Sequence, residues 1–268
     1  MLDIKHVNIS SFPRVLTSVL RSACATALAM VLLTGAVPAG ADETELKLGN
    51  QILQEYEKQG IILRNTRYNA IVEPIAARMI PTGRGLYDEP FRFYVIHQKD
   101  PNAFAVPGGL MFINDALINL VHYEDELACV SGHEMGHVIH HDVMNRIKRE
   151  QQTGVLLAVG QLLLGGRVAS VANLALNLQA LHFDRGIESS ADRTGAELCA
   201  KAGYNPYGLV WMMEQFESLP GQTKTMEMFS DHPTEDHRIA DLEAFFRSQP
   251  SVFAHFSSDK STGRPLRK

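Results

Sequence analysis

The sequence predicts an α+β fold that is mostly helical and carries one small sheet. Long stretches with apolar residues at helical spacing dominate the chain, and the runs rich in strand-forming residues are few, short and close together. The 268 residues are 45% hydrophobic, which is enough to bury a good core in a single domain. No internal repeat is visible, so no helical repeat domain is expected.

The individual elements follow from hydrophobic spacing and from the residues that begin or end each run. Apolar residues at helical spacing predict an opening helix over 42–59 and a second helix over 68–80, which Pro81 and Gly83 end. In order along the rest of the chain, the predicted elements are strands over 91–96, 103–106 and 110–113 and helices over 114–121, 125–139 and 186–202.

The run 102–109 is the candidate for an edge strand. Its strand-forming part is followed at once by Pro107, and proline is tolerated where a strand lies at the edge of a sheet. An edge strand can accept an extended peptide through main-chain hydrogen bonds. The residues alone are also compatible with a plain hairpin that binds nothing.

The first 41 residues read as a targeting segment. Basic residues precede an apolar stretch over 22–37, and small residues follow up to Ala41. This order is typical of a secretory signal peptide, here with cleavage after Ala41. The apolar stretch is shorter than the roughly 20 residues of a spanning helix. An uncleaved anchor and lipidation at Cys24 are the alternatives.

The mature chain is acidic, with 22 basic and 29 acidic residues after position 41. This balance argues against nucleic acid as a partner and against an electrostatic attraction to anionic lipid. Two cysteines remain, Cys129 and Cys199, both on predicted helices and in apolar surroundings. The interpretation favoured is a pair of buried, unpaired cysteines, with a disulfide as the alternative.

Residues 133–137 read His-Glu-Met-Gly-His on a predicted helix. Side chains four apart share one helix face, so His133 and His137 can direct ring nitrogens at the same metal ion. Glu134 lies about 100° further round the helix, beside the coordination position that the ligands leave open. Gly132 and Gly136 each cost about 1 kcal/mol in a helix interior, which indicates that another backbone approaches closely.

A second motif, Glu188-Ser-Ser-Ala-Asp192, again places two carboxylates four residues apart. Glu188 can complete a set of two histidines and one glutamate, the set typical of a hydrolytic zinc site that keeps a water. Asp192 can accept the other ring N–H of a ligand histidine. Glu134 is then the base that takes a proton as water attacks a peptide carbonyl. The alternative is a solvated acidic face.

These motifs, in this order, resemble those of a known family of zinc metallopeptidases. The chain is similar to the gluzincin family that contains the HtpX-like and CAAX prenyl proteases, and within it to the soluble periplasmic BepA-like and LoiP-like branch. The resemblance extends over most of the mature chain. Besides the two metal motifs, it is carried by Glu45-Leu-Lys-Leu-Gly49, Asn102-Ala-Phe-Ala-Val-Pro-Gly-Gly109 and His232-Pro-Thr-Glu-Asp-His-Arg238.

The resemblance implies a zincin-like fold with one Zn²⁺ per chain, held by His133, His137 and Glu188, and Glu134 as the base. It also implies that the edge strand receives the substrate, through Asn102, Ala103, Phe104, Ala105 and Val106.

From the residues alone, His232 is expected to be a surface histidine. The same resemblance instead places His232 and Arg238 beside the metal. Two roles compete for His232: donating to the oxyanion, or filling the fourth zinc position so that the enzyme stays latent. Arg238 is expected to anchor the site, pairing with a carboxylate near Asp192. His140 and His141 extend the predicted metal helix, and His141 is interpreted as a residue that supports the metal ligands or as a structural one.

The expected function is a periplasmic zinc endopeptidase in protein quality control. Its substrates are expected to be unfolded or misfolded polypeptides, including outer-membrane proteins. The competing class is a chaperone-like protein that binds clients on the sheet edge and keeps its zinc site latent. The apolar block 153–181 is interpreted as a pair of core helices; the alternative is a mobile cover with peripheral membrane contact. The peptidase domain is expected over 42–248 and a loose tail over 249–268.

Overall fold

The structure is a computed structural model that describes residues 40–152, 183–218 and 237–268. Residues 1–39 of the predicted signal peptide, the apolar block 153–181 and His232 therefore lie outside the described residues. The chain divides into residues 1–41 and a compact unit over 42–268, to which the features below belong.

The secondary structure follows the predicted order closely. In the described ranges, no helix combines the length and the apolar character needed to cross a membrane. The helices are α1 (Gly40–Gln59), α2 (Arg67–Met79), α3 (Asp115–Leu120), α4 (Glu124–Ile139), α5 (Asp142–Gln152), α6 (Arg185–Lys201), α7 (Tyr207–Glu217), α8 (His237–Ser248) and α9 (Pro250–Phe253), and the strands are β1 (Ile62–Leu63), β2 (Arg92–Ile96), β3 (Ala103–Val106) and β4 (Leu110–Asn114).

The described strands form one mixed sheet in the order β1-β2-β4-β3. The central pair β2 and β4 is parallel, and the outer strands β1 and β3 are antiparallel to their neighbours. Strand β3 therefore lies at an edge of this sheet, as its following proline indicates. The expected α+β architecture, mostly helical with a small sheet, is confirmed.

The sheet separates two hydrophobic clusters because successive side chains of a strand point to opposite faces. Phe104, Val106, Leu110 and Phe112 face one side, where α1 and α5 cover them. Alternate residues such as Met111 face the other side, toward α2, α4, α6 and α7. Helix α4 is buried on almost every face, which explains why its sequence has little helical amphipathicity.

The expectation of a loose tail over 249–268 is wrong. The N–H of Leu266 donates to the carbonyl of His122 at 2.8 Å, and the N–H of Glu124 donates to the carbonyl of Arg264 at 2.8 Å. The buried carboxylate of Asp125 accepts the N–H of Arg264 at 2.7 Å. The polar composition suggested disorder, but this segment supplies hydrogen-bond partners to the first turn of α4, whose N–H groups have none within the helix.

The preference for two unpaired cysteines is also wrong, because Cys129 and Cys199 form a disulfide. Their Cα atoms lie 5.2 Å apart, within the range that a disulfide spans. Cys129 lies on α4 and Cys199 on α6, so the bond joins the helices that carry the two metal motifs. Their sequence separation of 70 residues hides this proximity from the sequence.

Replacing both cysteines by alanine is expected to lower the free energy of unfolding by about 2–4 kcal/mol, since the crosslink no longer restricts the unfolded chain. Urea denaturation of wild type and variant without reductant measures the difference. Adding dithiothreitol should lower the stability of the wild type to that of the variant. Equal stability without reductant, or two titratable thiols in the untreated wild type, contradicts the disulfide.

Candidate metal centre

The centre is built where α4 and α6 cross at close range. A methyl group placed on Gly132 would lie 2.6 Å from the carbonyl oxygen of Gly195, and one on Gly136 would lie 2.9 Å from that of Ala191. Larger side chains at 132 and 136 would force the helices apart. The close approach predicted from these two glycines is confirmed, and the nearby backbone belongs to the helix that carries Glu188.

Three buried side chains meet at this crossing with one ligand atom each. The imidazole Nε2 atoms of His133 and His137 are 3.1 Å apart. Glu188 Oε2 lies 3.6 Å from His133 Nε2, and Oε1 lies 3.5 Å from His137 Nε2. All three candidate ligand atoms lie within 4.8 Å of one another. The structure thus brings together the three residues that the two motifs predict as ligands.

Asp192 and Arg238 support one side of this cluster. Asp192 Oδ1 lies 2.8 Å from His133 Nδ1. The guanidinium of Arg238 donates two hydrogen bonds to Asp192, at 2.9 and 2.7 Å, and its Nη1 lies 3.0 Å from Glu188 Oε2. Burial alone would raise the pKa of Asp192, but the charge of Arg238 and the hydrogen bond with His133 lower it to about 2. Asp192 therefore stays ionised as an acceptor.

Asp142 supports the other side, and the sequence reasoning missed it. Its Oδ2 lies 2.8 Å from His137 Nδ1. Asp142 begins α5, one turn of chain after the predicted metal helix, and sequence spacing on that helix cannot reveal it. Burial and the charge of Glu188 raise the pKa of Asp142 to about 6. A cation bound by His137 and Glu188 would oppose this rise, because a nearby positive charge favours the ionised form.

His140 and His141 do not continue the metal helix, contrary to expectation. Helix α4 ends at Ile139, His140 is its C-terminal cap, and His141 has a φ of 55°, outside the helical range. His140 Nε2 lies 3.0 Å from Thr194 Oγ1 on α6. His141 Nδ1 lies 2.7 Å from Glu45 Oε1 on α1, so the chain reversal turns it away from the ligand face.

Glu134 lies between the ligand cluster and the edge of the sheet. Its Oε2 accepts a hydrogen bond of 3.1 Å from the backbone N–H of Ala105 on β3. Glu134 is 3% exposed and shares helix α4 with the two histidines. The base predicted from the motif therefore touches the strand predicted to receive substrate.

The five residues predicted to receive substrate divide into two sets. Asn102 turns its main chain toward β4: its carbonyl accepts the N–H of Asn114 at 3.1 Å. Main-chain groups alternate in direction along an antiparallel strand, so Phe104 and Val106 also face β4. The N–H and carbonyl groups of Ala103 and Ala105 point away from β4, and the N–H of Ala105 donates to Glu134 on α4. These two alanines are the ones whose main chain can pair with another segment.

A cavity of about 290 Å³ adjoins the cluster on the side of Glu188. Phe183 stacks on the His137 ring, with ring centroids 4.6 Å apart, and forms part of the cavity wall. The other described lining residues are Arg185, Glu188, Ser189, His237, Arg238 and Asp241.

The donor set fits a divalent transition metal. Imidazole nitrogen and carboxylate oxygen are ligands that zinc and its neighbours accept, and three of them leave a position for water. Each ligand histidine has a carboxylate on its other ring nitrogen, which is the usual support of a metal-bound imidazole. Several buried carboxylates face one guanidinium here, and a cation would balance the excess negative charge.

Comparison with known proteins places the chain in a family. Residues 63–245 match the model of peptidase family M48. The chain belongs to peptidase family M48. This match covers the sheet except Ile62, both metal motifs and Arg238, and it confirms the resemblance drawn from the motifs. Two of the relatives are named metalloendopeptidases.

The individual relatives have low sequence identity to this chain, but the similarity extends over most of it. A beta-barrel assembly-enhancing protease of Yersinia pestis is 28% identical over 251 residues, 81% of this chain and 52% of that protein. The mitochondrial metalloendopeptidase OMA1 of Schizosaccharomyces pombe is 26% identical over 215 residues, 72% of this chain and 62% of that protein. The metalloprotease LoiP of Escherichia coli is 28% identical over 200 residues, 71% of this chain and 76% of that protein. The chain thus spans 52% and 62% of the length of the first two.

Removing a ligand should empty the site, whereas removing a supporting carboxylate should weaken it. We expect Glu188→Ala to lose metal after loading with Zn²⁺, because two histidines leave the ion under-coordinated. Asp142→Ala should lower zinc affinity by about 10–100-fold, the usual effect of losing such a partner. Competition with a chelator at fixed pH measures both.

The matched control is Glu197→Ala, which removes an exposed carboxylate from the same helix as Glu188 and should leave zinc affinity unchanged. Equal zinc content in wild type and Glu188→Ala would refute the ligand assignment.

Proposed function

We propose that this chain is a zinc endopeptidase that hydrolyses peptide bonds in extended or unfolded polypeptides. The observation that carries the proposal is the hydrogen bond between the Ala105 N–H and Glu134 Oε2. It joins a strand edge suited to bind a peptide with a carboxylate suited to act as base. The three candidate ligand atoms lie on the same helix crossing.

Zinc is the metal that this donor set suits best. Two histidines and one glutamate with an open position are typical of hydrolytic zinc sites. When bound, zinc lowers the pKa of a water molecule and polarises a carbonyl group. His133, His137 and Glu188 are the proposed ligands, with Asp192 and Asp142 fixing the orientation of the two imidazole rings.

The roles of the protein groups follow from their positions. Glu134 accepts the proton of the attacking water and returns it to the leaving amine, as a general base and then a general acid. The outward main-chain groups of Ala103 and the carbonyl of Ala105 pair with the backbone of the substrate, and the N–H of Ala105 donates to Glu134. Arg238 holds Glu188 and Asp192 in place through its three contacts.

The mode of binding limits the form of the substrate. Adding a strand to β3 requires a peptide segment in extended form with unpaired main-chain groups. A folded protein rarely offers such a segment, whereas an unfolded or misfolded chain does. This supports a role in protein quality control.

The location and clients are proposed on weaker grounds. Residues 1–41 have the composition of a signal peptide, which supports the periplasm. A relative in Yersinia pestis is named a beta-barrel assembly-enhancing protease. We therefore include outer-membrane β-barrel proteins that fail to assemble among the proposed clients.

A binding protein with a latent zinc site is the competing function. The same edge strand would hold unfolded clients without cutting them. The specific observation in its favour is that Ala105 already pairs with Glu134, so the edge and the base are linked before any peptide enters. Cleavage of an unfolded substrate separates the two functions.

We expect Glu134→Gln to abolish cleavage of casein while zinc content stays at the wild-type value. The ligands are unchanged and proton transfer is lost, which typically costs about 10²–10⁴-fold in rate. Product formation on gels and metal analysis of the same samples provide the measurement. A zinc-loaded wild type that binds casein without cutting it supports the latent binding protein. An empty site in the variant shows that Glu134 is a ligand.

Proline substitutions on β3 test the strand edge. Ala103→Pro and Ala105→Pro each remove an outward N–H and leave the ladder to β4 intact, so both should fold and both should raise KM by about tenfold. Ala105→Pro should also lower kcat, because it removes the donor to Glu134. Ala103→Pro should leave kcat close to wild type and serves as the control for that difference. Unchanged kinetics in both folded variants would exclude strand addition.

A further inference from the structure

The motif Glu45–Gly49 on α1 packs against the turn that joins β3 to β4. A methyl group on Gly49 would lie 2.0 Å from the carbonyl oxygen of Pro107. Gly108 has a φ of 86° and lies against the backbone of Leu46. A methyl group placed on Gly108 would lie 3.4 Å from the Cα of Leu46. Helix α1 can therefore rest directly on residues 107–109, because the close contact requires glycine at position 49 and the positive φ favours glycine at position 108.

Tyr87 connects this motif to the turn through one hydroxyl group. Its O–H donates to Glu45 Oε2 at 2.7 Å, and it accepts the N–H of Gly108 at 3.2 Å. Both side chains are buried, Tyr87 at 8% exposure and Glu45 at 4%. Burial and the hydrogen bond to Glu45 raise the pKa of Tyr87, so the phenol stays protonated and keeps both hydrogen bonds.

The other carboxylate oxygen of Glu45 reaches the end of the metal helix. Glu45 Oε1 lies 2.7 Å from His141 Nδ1, and the neighbouring Asp142 contacts His137 Nδ1 at 2.8 Å. A continuous path of polar contacts and one peptide bond thus runs from a candidate metal ligand to the turn that ends β3. The path links the end of the metal helix to that turn through the side chains of Glu45 and Tyr87.

We propose that Tyr87 and Glu45 are positioning residues for the peptide substrate. They hold the turn 107–109 and thereby fix the position of the C-terminal end of β3 relative to Glu134. The proposal rests on the proposed function, because it assumes that β3 receives the peptide. Strand β3 has four residues, and two of them turn their main chain outward. A tilt at its end would misalign these groups with the alternating groups of a bound peptide.

Tyr87→Phe is the sharpest test, because it removes one hydroxyl and keeps the ring. We expect KM for a fluorogenic peptide to rise about tenfold, since a bond of this kind is worth about a factor of ten. We expect kcat to stay within twofold and zinc content to stay unchanged, because weakened uniform binding changes KM alone. Hydrogen exchange at the Gly108 amide should become faster.

Tyr204→Phe is the matched control. Tyr204 is 1% exposed, and the guanidinium carbons of Arg78 and Arg264 lie 4.4 and 4.9 Å from the centroid of its ring. Tyr204→Phe should leave KM and the rate of hydrogen exchange at the Gly108 amide unchanged. At position 45, Glu45→Gln keeps an acceptor for the tyrosine and should stay near wild type, whereas Glu45→Ala should reproduce the KM of Tyr87→Phe.

Unchanged KM in Tyr87→Phe, or a fall in kcat with loss of zinc, overturns the positioning role. A general loss of stability is recognised by equal KM effects in Tyr87→Phe and Tyr204→Phe, and this also overturns it. If the wild type does not cleave, the proposed function fails by itself. Peptide affinity and Gly108 exchange in Tyr87→Phe then still decide whether the hydroxyl positions the strand.

Discussion

The close crossing of α4 and α6 is the constraint on which the metal centre depends. The two histidines come from one helix and the glutamate from the other, so their ligand atoms meet only if the helix axes approach closely. Gly132, Gly136 and Gly195 permit that approach, and the Cys129–Cys199 disulfide joins the same pair of helices. These glycines and cysteines are not candidate ligands, but they determine whether the three candidate ligands can bind the same ion.

Charge is the second constraint on the centre. Glu134, Glu188, Asp192 and Asp142 are all buried near the crossing, and burying a carboxylate without a partner is costly. Arg238 offsets part of this cost through its contacts with Glu188 and Asp192, and the Nδ1–H groups of His133 and His137 donate to Asp192 and Asp142. A divalent ion at the histidine nitrogens would neutralise the rest. Without a metal ion, burying these carboxylates would destabilise the fold. With a divalent ion bound, most of their charge would be balanced.

The sequence predicts whatever depends on spacing within one helix. His133 with His137, and Glu188 with Asp192, follow from side chains four residues apart, and the glycines predict the crossing. Asp142 was missed because the chain reverses at His141, and no sequence pattern predicted the positive φ of that residue. The predictions of unpaired cysteines and of a loose C-terminal tail were wrong. The disulfide and the order of the C-terminal segment both depend on contacts between residues that are distant in the sequence. Hydrophobic spacing gives the faces of each helix, but it does not say which distant segment will cover them.

The C-terminal segment has a consequence for when the protein becomes competent. The first turn of α4 obtains hydrogen-bond partners from residues around Arg264, which follow Asp125 by 139 positions. A chain that is made from its N-terminus lacks these partners until the residues around Arg264 have been made. Contacts of such long range form late, because the intervening loop must first be closed. The helix that carries the proposed base and two ligands is therefore completed at the end of folding, which delays any peptide cleavage until the rest of the domain exists.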